Sequence, residues 1–200
     1  MQATQSHNIY IYTEANPNPN SLKFVVDYML LPEGVTFDFP DKASAAESPL
    51  AQLIFEQFGF VQRIFLMSNF ITVTKDEATD WHEVAGEVKD FIKAYLMEGK
   101  PLLTKDLVNR YEQSLNESDA QDTETVKKIK GILNEYVRPA VESDGGAINF
   151  HSFEDGIVKV LLQGSCSGCP SSTITLKAGI ENLLKRMLPD EVKEVVAEGI

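Results

Sequence analysis

The sequence predicts an α+β protein: two small α/β-sandwich-like domains joined by a linker. Three observations lead there. Short β-rich runs alternate with amphipathic helical stripes in both halves of the 200-residue chain. Gly/Pro/Asn/Asp turn signals separate those runs at short intervals. A polar stretch poor in large apolar residues interrupts the pattern at 111–123, as an interdomain connection does. The expected boundaries are a first domain over 1–100, a connector and flexible linker over 101–123, and a second domain over 124–200.

In the first domain, residues 9–13 alternate and read as a strand. Asn16-Pro17-Asn18-Pro19-Asn20 is a turn, since proline fixes φ and asparagine tolerates unusual backbone angles. Residues 22–28 form a second strand. Pro49 suits the first position of a helix running to Phe58. Residues 60–66 and 70–74 are β-rich and joined by Met67-Ser68-Asn69, a hairpin signal. Trp81, Val84, Ala85, Val88, Phe91, Ile92, Tyr95 and Leu96 share one helical stripe, which marks them as core. Asp80 with Glu83 resembles a capping pair, and Gly99 with Pro101 ends the helix.

The second domain is expected in the order α-β-β-α-β. Val126, Ile129, Leu133, Tyr136, Val137, Ala140 and Val141 share a face of the opening helix, which Pro139 kinks or shortens. Asp144-Gly145-Gly146 gives a sharp exit. Strands at 147–153 and 157–162 meet at Glu154-Asp155-Gly156, an Asp-Gly hairpin signal. A helix opening near Pro170 carries Leu176, Ile180, Leu183, Leu184 and Met187 on one face. Residues 192–196 form a short last strand.

Composition narrows function. Net charge is −12. Residues 1–100 hold 7 basic and 14 acidic side chains, and residues 101–200 hold 11 and 16. This balance argues against a nucleic-acid partner, because such affinity rests on Lys and Arg neutralising phosphates. No apolar run is long enough to span a bilayer, so no membrane partner is expected. Met1 to Asn8 has neither a basic nor an apolar region of a secretory signal, and no arginine of a transit peptide. A close thiol pair with no other cysteine fits a reducing compartment, and the expected location is the cytoplasm.

The chemistry concentrates in Gly164-Ser165-Cys166-Ser167-Gly168-Cys169-Pro170-Ser171-Ser172, which holds both cysteines of the chain. Two residues between cysteines let a turn point both sulfurs at one centre. A following helix would face them with unsatisfied N–H groups and its positive dipole end, favouring thiolates. Gly164 and Gly168 remove bulk where a cluster or partner backbone approaches, or serve turn geometry alone. Ser171 and Ser172 suit capping or hydrogen bonds to sulfur, for no base activates them as nucleophiles. Iron–sulfur clusters and structural zinc take four ligands, so one chain offers half a shell. Two copies about a two-fold axis would supply Cys166 and Cys169 twice. From spacing alone, metal binding and dithiol–disulfide oxidoreductase chemistry are evenly weighted, and a zinc-bridged interaction module is a third reading. The Gly/Ser surroundings are poor core material, which argues against a merely structural pair. His7, His82 and His151 are scattered, and Asp76-Glu77 and Glu154-Asp155 read as turn and surface charges rather than an acid/base dyad.

Residues 164–180, Gly-Ser-Cys-Ser-Gly-Cys-Pro-Ser-Ser-Thr-Ile-Thr-Leu-Lys-Ala-Gly-Ile, resemble the C-terminal domain of NifU, the Nfu family of iron–sulfur cluster proteins. Val137-Arg138-Pro139-Ala140 and Asp144-Gly145-Gly146 are similar to that family's opening helix and Gly-Gly turn. The match covers roughly 124–198. The segment from Thr13 to Phe24 resembles the N-terminal domain paired with it in many Nfu proteins. The resemblance implies a homodimer that assembles or carries a [4Fe-4S] cluster and transfers it to apo-proteins by thiolate exchange, after receiving it from a cluster donor. It implies a carrier rather than an enzyme. It makes Cys166 and Cys169 the ligands, with Gly164, Ser165 and Gly168 as the supporting loop.

Overall fold

A computed structural model describes residues 9–118, 122–167 and 170–199. The chain divides into two compact units, Met1–Ala15 with Pro19–Val108, and Asn16–Asn18 with Asn109–Ile200.

In the first unit β1 (Ile11–Ala15), β2 (Ser21–Val26), β3 (Thr36–Phe39), β4 (Val61–Met67) and β5 (Phe70–Lys75) form an antiparallel sheet in the order β1-β2-β5-β4-β3. Register runs one row straight across it: Glu14, Lys23, Thr72, Phe65, Asp38. The neighbouring row, on the opposite face, is Thr13, Phe24, Ile71, Leu66, Phe37. Helices α1 (Pro49–Gln57) and α2 (Trp81–Met97) complete this unit. Trp81 meets Phe24 edge-on with ring centroids 6.1 Å apart, and Phe91 meets Phe58 at 5.5 Å. Ser48 caps α1 by accepting from the Ala51 N–H, with Pro49 at the first turn. Asp80 caps α2 by accepting from the His82 N–H. Asp76 accepts from the Thr79 N–H, and hydrogen bonds from Thr79 hold its carboxyl below the usual range, so Asp76 serves a turn.

Two expectations fail here. Strand β3 was not anticipated, because four residues between Pro32 and Pro40 give too short a pattern to stand out. The flexible linker expected from 111 onward is helical as far as Ser118: α3 spans Lys105–Ser118. It contains no Gly or Pro to break a helix. Thr104 Oγ1 accepts from the Leu107 N–H at its start. Low hydrophobicity had argued for a coil, and a helix needs only a narrow apolar stripe.

The second unit opens with α4 (Glu124–Ile132), capped by Thr123 Oγ1 on the Val126 N–H. A π-helical turn, Leu133–Val137, joins it to α5 (Arg138–Ser143). Pro139 explains that turn: it lacks an N–H and its ring crowds the carbonyl four residues back, so the helix widens there. Ile129, Ile132, Leu133, Val137 and Val141 face the core, whereas Tyr136 and Ala140, expected on that face, are exposed. The π turn adds a residue and rotates them away. Strands β6 (Gly146–Glu154), β7 (Ile157–Gly164) and β8 (Glu194–Gly199) form a sheet in that order, β6 antiparallel and β8 parallel to β7. Asp155 and Gly156 both take positive φ, as the β6–β7 hairpin turn requires. Helix α6 (Pro170–Met187) crosses back to β8, burying Ile180 and Leu184, while Met187 is exposed rather than core. No helix among the described residues is long and apolar enough to cross a membrane.

Candidate metal-ligand loop

The loop that carries the thiols follows the last residue of β7, where the β6–β7 ladder ends in the pair Gly146 and Gly164. Gly164 takes φ +64°, a backbone angle that favours glycine, so the chain can turn sharply out of the strand. The Ser167 N–H donates to the Gly164 carbonyl at 3.1 Å and closes the turn.

Cys166 lies inside. It is 5% exposed and joins the apolar cluster of Ile148, Leu162, Ile180 and Leu184. The Gly/Ser composition had argued against that burial. The sulfur fits because Gly146 has no side chain: a Cβ there would stand 2.9 Å from Cys166 Sγ and 2.6 Å from the Gln163 carbonyl. Ser165, 2% exposed, ties the loop to the preceding turn. Its hydroxyl donates to the Asp144 carbonyl, and its N–H donates to the Gly145 carbonyl at 3.3 Å. Its oxygen is 3.9 Å from Cys166 Sγ. Gly145 takes φ +77°.

Gly168 and Cys169, the other expected members of the site, lie outside the described residues, and so do the side chains of Ser171 and Ser172. The spacing that singled out the loop gave no hint that Asp144, Gly145 and Gly146 border it, since about twenty residues intervene. Only the β6–β7 register brings them together. Among the described residues no group of three or more His, Cys, Asp or Glu side chains is placed to hold a metal. His82 and His151 are exposed, and His7 lies outside the described residues. A carboxylate, Glu181 on α6, serves the scaffold instead. It accepts from the Val195 N–H at 3.1 Å and pairs with Lys185, and both hold its carboxyl below the usual range, Lys185 most.

Residues 11–99 match the family model for the scaffold protein Nfu/NifU N terminal, and residues 129–196 match the NifU-like domain. The chain is 42% identical over 193 residues to the NFU1 iron-sulfur cluster scaffold homolog, mitochondrial, of Drosophila willistoni, covering 96% of this chain and 65% of that protein. It is 39% identical over 201 residues to the protein of the same name in Drosophila yakuba, covering 100% and 69%. The chain thus spans about two thirds of the length of the curated relatives it matches. Among solved structures, a NifU-like protein from Saccharomyces cerevisiae aligns at 26% identity and a TM-score of 0.43, over 52% of this chain and 92% of that one.

Proposed function

Because this chain belongs to the Nfu/NifU family of iron–sulfur cluster scaffold proteins, we propose that it carries a [4Fe-4S] cluster as cargo between two subunits and hands it to apo-proteins. Cys166 and Cys169 of each copy are the four ligands. The observation that carries this reading is the ligand count: the chain has two cysteines, three positions apart, within the NifU-like region, and a cubane is commonly held by four thiolates. A cluster bridging two identical half-sites sits on the two-fold axis of a closed homodimer. Each protomer then contributes two bonds, so a client's thiolates can replace them one at a time. Transfer is ligand exchange, with no covalent turnover, and the protein acts as a carrier rather than an enzyme. A separate cluster donor supplies the cargo. The reading includes a reducing cytoplasmic setting, since the thiols must stay reduced to bind; "mitochondrial" in the relatives' names describes those proteins.

Reconstitution without oxygen tests this. The expected result is about four irons and four sulfides per dimer, with a dimer mass that returns to monomer when a chelator strips the iron. Cys166→Ala or Cys169→Ala should each abolish loading. Full iron retention by a lone subunit, or a reversible disulfide with reductase activity and no iron, would sink the proposal.

A further inference from the structure

The residues around Cys166 do more than shape a turn. Its thiol occupies the space left by the missing side chain of Gly146, and its neighbour Ser165 is hydrogen-bonded twice to the end of the α5–β6 connection, at the carbonyls of Asp144 and Gly145. Ser165 and Cys166 are both almost fully buried. A thiol that is 5% exposed and packed with Ile148, Leu162, Ile180 and Leu184 offers little surface to a centre shared with another molecule. From this we infer that the Asp144-Gly145-Gly146 turn is a latch for Cys166. It holds the thiol inward against the end of the β6–β7 ladder, and the thiol becomes available to a ligand only when the Ser165 bonds to the turn open. Ser165 and Gly146 are positioning residues: one ties the loop down, the other gives the sulfur its berth. The inference deepens the carrier reading, which makes Cys166 a ligand, by naming the conformational step that precedes ligation.

The opening is local. It breaks the Ser165 bonds to the Asp144 and Gly145 carbonyls and leaves the β6–β7 ladder from Ala147 onward paired. One net hydrogen bond is worth about fivefold in such an equilibrium.

Alkylation of the thiol reads the latch without any cluster. In metal-free Cys169→Ser protein, where Cys166 is the remaining thiol, the rate of maleimide labelling at fixed pH reports how often the loop opens. Ser165→Ala should label about fivefold faster, with a urea midpoint that moves too little to account for it. Gly146→Ala, which places a methyl where the sulfur sits, should also label faster. In the unmodified chain, hydrogen exchange should reach the amides of Ser165 and Ser167 well before those of Val158 and Val160, a measurement that stands even if a variant fails to fold. A Ser165→Ala rate unchanged from its parent, a rise fully matched by global destabilisation, or loop amides that exchange only together with the strand core would each overturn the latch. None of these readouts involves iron, so a failed reconstitution removes the carrier reading while leaving the latch to be judged by labelling.

Discussion

The two sheets of this protein bury their side chains in different ways. In the five-stranded sheet both faces are covered. The row Phe24, Ile71, Leu66, Phe37 is buried on one side, and on the other lie Lys23, Thr72, Phe65 and the Asp38 carboxylate. Polar groups survive there because they are paired: Arg63 Nη1 sits 2.6 Å from Asp38 Oδ2, and Lys23 Nζ sits 3.1 Å from Glu14 and 4.4 Å from the centre of the Phe70 ring. In β7, at the centre of the three-stranded sheet, one face is fully buried: Val158, Val160 and Leu162 point into the core, while on the other Ile157, Leu161 and Gln163 are half-buried and Lys159 is exposed. The lesson is one of division. The unit with the thicker, two-sided core holds no cysteine, and the thinner unit carries the thiol loop at one end of its sheet. On the proposed carrier reading, a ligand to be given up sits better on a scaffold whose edge can open cheaply.

That contrast can be broken in three places. The largest effect is expected from Phe65→Ala, at the centre of the doubly covered sheet, which should cost about 3–5 kcal/mol. Urea unfolding measures the loss, and iron loading of the protein that stays folded should be unchanged; a fall in iron per folded chain would mean the division of labour is wrong. Leu162→Ala, on the buried face of the thinner sheet, should cost about 2–5 kcal/mol. It touches the cluster that houses Cys166, so here iron content should drop along with stability, and a loss of stability with full iron retention would separate the loop from its core.

The smallest effect concerns Glu181. Its carboxyl is held below the ordinary range, chiefly by Lys185 and next by the Val195 N–H. A carboxylate with a depressed folded value stabilises the fold at pH above its unfolded value, and that contribution disappears as pH falls through the folded one. Hydrogen exchange at Val195 should therefore speed up on acidification below the usual carboxylate range, relative to Val158. Glu181→Gln should flatten that dependence with little change at neutral pH, because the site is open to solvent. A Val195 amide equally protected in both proteins at every pH would remove the clasp from the account.

How much was legible in advance follows the same contrast. Alternation in β7 and the Asp155-Gly156 turn placed the β6–β7 hairpin from sequence, since a one-faced sheet writes its burial as a period of two. The stripe of α2 was equally plain. Strand β3 and helix α3 were missed because one is too short and the other too polar for periodicity to register. The kink at Pro139 was anticipated, but its form as a π turn, which turns Tyr136 outward, was not. At the loop, cysteine spacing named Cys166, and nothing in the linear order linked it to Gly146, because that contact exists only through strand register.

The parallel pairing of β8 with β7, from Ile157 opposite Glu194 to Leu162 opposite Gly199, has a consequence for the newborn chain. A hairpin can zip as soon as it emerges, but a parallel partner must wait for the crossover helix and the strand beyond it. The ribosome makes both cysteines well before residue 194. For on the order of seconds at ordinary elongation rates, the thiols precede the strand that completes their sheet, and they must pass that interval without being oxidised or captured by stray metal.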